Sequence, residues 1–426
     1  MLDTIVSLLK DSGVYAWEVS DVTTRGREFY FIRHALDQHR VKDVEHITLV
    51  VYQLSEDGET LGSASCEIAP TADTDAIRAQ IEALAYRATL VKNKPYTLNP
   101  PRPAEAMHTA PADTAQIARD FLAVMRSLPE TAGEDINSYE LFVSEKKRRL
   151  LTSAGIDVEE SWVVSMLEVV VNARRDGEEI ELYRMYHSGS CDAESLREAL
   201  RRTMQFGRDR LAASPTPALG SADVLFTGQD GVTLYSYFAD RLGAGMVYRQ
   251  MSDWVLGEPV CEAFHGDKPT LTALRELPNS SHNHRWDQEG APICDTLLLE
   301  QGVARHYLGG RMFASYLGLK NAFVPTNYAV TGGTHSEEEL RQGAYLEVVD
   351  FSDFQVDSVT GDLFGEIRLA YWHDGENVTP VTGGSISGSM RDLAGELRFT
   401  REQRQYNNWL IPAATRMKGV TVTGIE

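Results

Sequence analysis

The sequence predicts an α+β protein whose C-terminal part is a large, mainly antiparallel β-sheet. Three observations carry that expectation. Helical and strand-like stretches are mixed through the first half, strand-like runs joined by tight turns dominate the second, and no repeat period divides the chain. A length of 426 residues calls for more than one domain. Two proline-bearing stretches mark the divisions. Residues 98–111 hold four prolines in fourteen positions, and residues 214–221 form the second candidate linker. The expected units are 1–97 and 112–213, both α+β, followed by a β-rich 222–426.

The elements follow in order. MLDTIVSLLKDSG at the start reads as an amphipathic helix that stays on the protein, because its apolar run is too short for a signal peptide. Strand-like runs cover Val14–Ser20, Phe29–Ile32 and His46–Leu54, with a turn at Asp57-Gly58. A helix over about Thr74–Val91 places Ile77, Ile81, Leu84 and Ala88 on one face. The middle unit opens with a helix near Thr114–Leu128. Strands at Tyr139–Val143 and Trp162–Val171 follow, and the latter turns at Asp176-Gly177 into Ile180–Tyr186. A helix over 192–213 closes it, with Asp192 as N-cap. The last unit starts with a strand at Asp223–Phe226 and a helix at Val232–Leu242. Ser336 and Glu339 form a capping box, and strands at Leu363–Trp372 and Val378–Val381 meet at Asp374-Gly375.

Composition excludes several function classes. A formal charge of −21 repels phosphate backbones and anionic lipid headgroups, so neither nucleic acid nor membrane is an expected partner. The basic run Lys146-Lys-Arg-Arg149 reads as a solvated strand face. Cys66, Cys191, Cys261 and Cys294 are scattered, which fits reduced thiols in a cytoplasm. No stretch reaches the roughly 18 apolar residues of a membrane span.

Chemistry-bearing motifs are few. Neither H-E-x-x-H nor G-x-S-x-G occurs, and His34 and His39 read as a surface pair. The stretch Thr382–Gly388 has the glycines of a phosphate loop but lacks its Lys-Ser/Thr, so a sheet turn is expected. Gly243-Ala-Gly245 follows a helix where a dinucleotide fingerprint would follow a strand. The acids Asp350, Asp353, Asp357 and Asp362 lack EF-hand spacing. The densest cluster is Ser281-His-Asn-His-Arg-Trp-Asp-Gln-Glu-Gly290. His282, His284 and Glu289 could serve as noncanonical metal ligands there, but the flanking Asn279-Ser-Ser281 and Gly290-Ala-Pro292 say loop.

Several passages of the C-terminal half stand in a recognisable order. They are Asp287-Gln-Glu-Gly-Ala-Pro292, Leu298-Leu-Glu-Gln-Gly-Val303, Ser336–Leu340, Val359–Gly365, Asp374-Gly-Glu376 and Pro380–Gly388. Together with Thr152-Ser-Ala-Gly155, they resemble the TldD/PmbA family of peptide-maturation proteins. The resemblance covers about Ser12 to the end. It implies either a TldD-like subunit, with H-E-x-x-x-H on a helix and a C-terminal cysteine as metal ligands, or a PmbA/TldE-like subunit that lacks them. Counted back from Ser252, the ligand positions fall on Tyr235, Ser236 and Asp240. No histidine lies between His187 and His265, and the last cysteine is Cys294. The resemblance therefore implies a non-catalytic, metal-free subunit with no cofactor of its own. Its expected partner is a TldD-like, zinc-binding paralogue in a cytoplasmic peptidase complex that acts on unstructured peptides, with homodimerisation as the alternative. A self-sufficient metallopeptidase and a stand-alone peptide-binding scaffold are the rival readings. The metallopeptidase rival would use noncanonical ligands such as His282, His284 and Glu289, whereas the family resemblance makes the histidines of 281–290 incidental.

Overall fold

A computed structural model describes residues 1–106, 112–131 and 133–425. Its first half is organised by one seven-stranded sheet. The strands are β1 (Ala16–Ile32), β2 (Ala35–Leu54), β3 (Leu61–Ile68), β4 (Arg102–Ala106), β5 (Glu134–Thr152), β6 (Ile156–Arg175) and β7 (Glu178–Ser188). Their order is β3-β2-β1-β5-β6-β4, with β7 also on β6. Strands from both sides of the first proline-rich stretch are thus hydrogen-bonded neighbours, β1 running antiparallel to β5 from Glu18↔Thr152 to Ile32↔Ser138.

Four helices cover this sheet: α1 (Leu2–Asp11), α2 (Thr74–Thr89), α3 (Thr114–Arg126) and α4 (Ala193–Leu211). The α1 helix stays on the protein, burying Ile5, Leu8 and Leu9. The α2 helix buries Ile77, Ile81, Leu84 and Ala88, and Asp73 caps it by accepting from Ala76 N. Asp192 caps α4 in the same way. The turn at Asp176-Gly177 closes the β6–β7 hairpin with both residues at positive φ, 53° and 88°.

The proline-rich stretch carries one element that its prolines did not suggest. The β4 strand pairs parallel with β6 at the sheet's edge, where a proline's missing N–H need not break a ladder. The rest of that stretch, 107–111, lies outside the described residues. The second linker is also tied down, because Ser214–Pro215 forms a short strand against residues 381–382.

Two further sheets build the C-terminal half. One holds β8 (Ser214–Pro215), β9 (Gly220–Phe226), β14 (Tyr345–Val356), β15 (Asp362–His373), β16 (Val378–Thr382), β17 (Ser385–Ser389), β18 (Leu397–Phe399) and β21 (Thr415–Thr423). The other holds β10 (Thr270–Leu274), β11 (Thr296–Glu300), β12 (Val303–Ala304), β13 (Asn327–Thr331), β19 (Gln403–Tyr406) and β20 (Trp409–Pro412). Short helices α5 (Gly231–Arg241), α6 (Ala244–Tyr248) and α7 (Arg311–Tyr316) pack among them, and a capping box at Ser336 and Glu339 opens α8 (Glu337–Leu340). The main apolar core lies in this half, but a second core joins Val349 and Leu369 to α3, α4 and β5–β7. Among the described residues no helix is long and apolar enough to cross a membrane.

One expectation is corrected. Lys146–Arg149 is not a uniformly solvated face, because strand alternation turns Arg148 inward, where it is 8% exposed. Lys147 and Arg149 stay outside and pair with Glu159 and Asp157.

Candidate functional site

The loop 281–290 lies against the N-terminal sheet. Trp286 fills an apolar socket made by Leu150, Ile156 and Val158. Gly290 has φ +77°, and a Cβ there would stand 2.9 Å from Ile156 Cδ1, so both backbone and space require glycine. Beside the socket, the buried Glu160 carboxylate accepts from Arg148 Nη2 at 2.6 Å and from Arg285 N at 3.0 Å, and pairs with His284 Nδ1 at 3.2 Å. Burial alone would raise the Glu160 pKa. The hydrogen bond from His284 and the charges of Arg148 and His284 outweigh it and hold the carboxyl below its ordinary range. Arg148 also donates to the carbonyls of Trp286 and Asp287.

The remaining donors of the loop are directed elsewhere. Asp287 accepts from the backbone of Glu289, Ala291 and Val324, each at 2.9 Å. Glu289 accepts from Arg311 N, the first residue of α7, at 2.6 Å. His282 Nδ1 lies 3.1 Å from Ser281 Oγ and 3.2 Å from Asn407 Nδ2. His282, His284 and Glu289 therefore serve three different neighbourhoods. Among the described residues no group of three or more His, Cys, Asp or Glu is arranged to hold a metal.

The second candidate place is α5. Tyr235 is 1% exposed, with its hydroxyl 2.8 Å from Thr415 Oγ1 and its ring edge-on to Phe399. Burial raises its phenol far above the ordinary range. Ser236 Oγ donates to the carbonyl of Thr233 at 3.0 Å, within the helix itself. Asp240 accepts from Ser358 Oγ at 2.8 Å, and burial raises its carboxyl. A zinc site needs imidazole, thiolate or carboxylate donors converging from at least three residues. A buried phenol, a hydroxyl turned back on its helix and one carboxylate do not fit that group.

Besides Glu160, two charged residues were missed from the sequence, and no local pattern could have revealed them. Arg241 is 1% exposed at the end of α5. It is ion-paired to Asp253, donates to Ser358 O at 3.1 Å, and lies 5.0 Å from the Trp254 ring centre. Glu18 on β1 lies near Tyr52, Tyr96 and Glu289, where the N-terminal sheet meets the loop. Burial, then the charge of Glu289, pushes its carboxyl up to about 7, while a hydrogen bond from Tyr52 opposes the shift.

Comparison with known proteins agrees with this architecture. Residues 219–424 match the family described as the PmbA/TldA metallopeptidase C-terminal domain. An uncharacterized protein of Methanocaldococcus jannaschii is 22% identical over 279 residues, which make up 62% of this chain and 64% of that protein. The match thus spans less than two thirds of the relative's length. Among solved structures, TldE from Thermococcus kodakarensis superposes with a TM-score of 0.78 at 14% identity, covering 99% of this chain and 100% of that one. A proposed modulator of a DNA gyrase from Thermotoga maritima MSB8 gives 0.77 at 17% identity, covering 100% and 99%. The likeness of fold covers the whole chain, and the family match covers the C-terminal sheets: residues 219–424 form a C-terminal domain of the PmbA/TldD type.

Proposed function

We propose that this chain is the metal-free, PmbA/TldE-like subunit of a cytoplasmic two-component metallopeptidase that matures or degrades unstructured peptides. Its partner is a paralogue carrying H-E-x-x-x-H and the zinc. The observation that carries this reading is the state of α5. At the positions where the family resemblance puts metal ligands, Tyr235 is bound to Thr415, Ser236 to its own helix and Asp240 to Ser358. These side chains hold the C-terminal core together and cannot act as a ligand set. The zinc chemistry would come entirely from the partner.

This chain's own part is to shape a chamber and hold substrate. Among the described residues, β2 pairs with β3 only from Ile47 onward, so 35–46 keep one backbone edge without a strand neighbour. Such an edge can pair with an extended peptide through main-chain hydrogen bonds, which suits recognition without sequence preference. A folded protein offers no free main chain and would be spared.

The test combines three measurements on the purified chain and an H-E-x-x-x-H paralogue from the same genome. Elemental analysis should find no stoichiometric zinc on this chain alone. Light scattering after size exclusion should detect a complex when the two are mixed. Cleavage of an unstructured peptide should require the mixture. A paralogue that neither associates with the chain nor gains activity from it would replace this reading with a stand-alone peptide binder. About one tightly held zinc per chain, lost in a His282→Ala/His284→Ala variant, would return the loop 281–290 to the centre.

A further inference from the structure

Where α4 crosses the C-terminal sheet, the buried Asp350 pairs with Arg184, and Arg210 lies within electrostatic reach of both and of Arg368. The crossing is fixed by Tyr371 on β15, whose hydroxyl donates to Asp209 Oδ2 at 2.5 Å while its ring packs against Phe206. This contact brings the next residue of α4, Arg210, toward Arg368 of the same strand. Asp350 on β14 is the register partner of Leu369, adjacent to Arg368. From the middle unit, β7 sends Arg184 Nη1 to within 2.9 Å of Asp350 Oδ1.

The charges in this cluster do not balance. Arg184 and Asp350 neutralise each other, but among the described residues Arg210 and Arg368 have no carboxylate within ion-pair distance. Burial lowers the pKa of Arg210, and the charges of Arg368 and Arg184 lower it further against the opposing pull of Asp350. Of the other acids nearby, Asp209 is held by Tyr371, and Asp230, just before α5, is pushed up by burial to about 6. Asp350 adds a second anomaly. Its side chain is only 3% exposed, and Oδ2 is buried without a hydrogen-bond partner. Leaving such an oxygen unpaired is costly.

A simpler account is available for one member of the cluster. Arg210 lies in the last turn of α4, where the carbonyl ends of a helix favour a cation. That does not explain Arg368, which stands on a strand, or the orphaned oxygen of Asp350. Two guanidinium forks without acids are suited to an oxyanion, which they bind through paired hydrogen bonds. A bare carboxylate oxygen beside them imposes a further condition. It repels a fully deprotonated oxyanion but accepts a hydrogen bond from an acidic O–H. Inorganic phosphate keeps such a proton at neutral pH, a monoester keeps it in part because its second ionisation lies near 6, and sulfate does not.

We propose that the junction of α4, β7, β14 and β15 binds a protonated phosphate group, with Arg210 and Arg368 clasping its oxygens and Asp350 Oδ2 accepting its proton. The ligand bridges the middle unit and the C-terminal sheet, so it strengthens the contact between them. It comes from free phosphate or from a small phosphomonoester, and the site's chemistry is the same for both.

The test is calorimetric titration and thermal unfolding of the full chain with inorganic phosphate, methyl phosphate and sulfate at matched ionic strength. Phosphate or methyl phosphate should bind and raise the melting temperature, and sulfate should bind at least about tenfold more weakly, as expected for loss of one charge-assisted hydrogen bond. A stronger response to methyl phosphate assigns the site to a monoester, and a stronger response to phosphate assigns it to the free anion. Arg210→Met and Arg368→Met should each weaken phosphate binding by about tenfold or more. Both leave the Arg184–Asp350 pair intact, so the fold should be kept. Equal responses to phosphate and sulfate, no response to either phosphate probe, or a phosphate response unchanged in both variants would overturn the proposal.

Discussion

The loop 281–290 and the helix α5 present opposite faces to a reader of the sequence. The loop gathers two histidines and two acids into ten residues, as a metal site would. The helix offers one aspartate among aromatic and small residues. In the folded chain the polar groups of both have partners within the protein. Each donor of the loop has its own partner, with Glu160, Asn407, the backbone near Val324 and Arg311 dividing them. The helix has its polar groups bound to Thr415, Thr233 and Ser358. Donor count along the chain therefore says little about ligand capacity. What matters is whether donors converge on one point, and here they diverge.

The sharpest way to break this comparison is to attack the loop's anchor. Arg148→Ala leaves Glu160 buried with its strongest partner gone. A loss of about 3–5 kcal/mol is expected, as for other broken buried ion pairs, measured by urea unfolding. A loss near that of a surface pair, below about 1 kcal/mol, would mean that the loop is not clasped as described.

Glu18 tests the neighbouring contact through pH. Its folded pKa is raised from 4.5 to about 7, so the folded state favours the protonated form. That stabilisation is fully present below pH 4.5, declines as pH rises, and is lost above about 7. Glu18→Gln removes the titration. Relative to the wild type, the variant should become more stable between those limits, by about 1–3 kcal/mol at the upper end. Parallel stability–pH curves for the two proteins would show that Glu18 is not held in a buried, acid-lined contact.

The smallest effect is expected on α5. Tyr235→Phe removes one buried hydroxyl and leaves Thr415 without that partner, which should cost about 1–2 kcal/mol. If the helix is purely structural, peptide cleavage by the mixed complex should stay at the wild-type rate once both proteins are folded. A large loss of activity with little loss of stability would give α5 a part in the chemistry.

Elements with local signals were legible in the sequence. The caps at Asp73, Asp192 and Ser336 and the spacing of Ile77, Ile81, Leu84 and Ala88 fix α2, α4 and α8 to within a few residues. The long strands were not legible at full length. Two separate runs were expected where β1 is continuous from Ala16 to Ile32, because Asp21–Glu28 is polar on both faces and shows no alternation. Its pairing with β5 depends on residues more than a hundred positions away, and no periodicity encodes that register. The burial of Arg148, Arg241 and Glu18 was hidden for a related reason. A charged letter reads as surface until a distant segment closes over it. The Glu160–His284 contact joins two such segments, so neither half of it announced the other.

The seating of Trp286 has a consequence for synthesis. Leu150, Ile156 and Val158 leave the ribosome long before the tryptophan that covers them. During that interval the N-terminal sheet can pair its strands, but it carries an apolar vacancy at one end. Nascent chains stalled before residue 286 would expose this patch to chaperones or to one another, and chains that have passed it would not. One late aromatic ring thus closes this patch, and Val349 and Leu369 complete the neighbouring core later still.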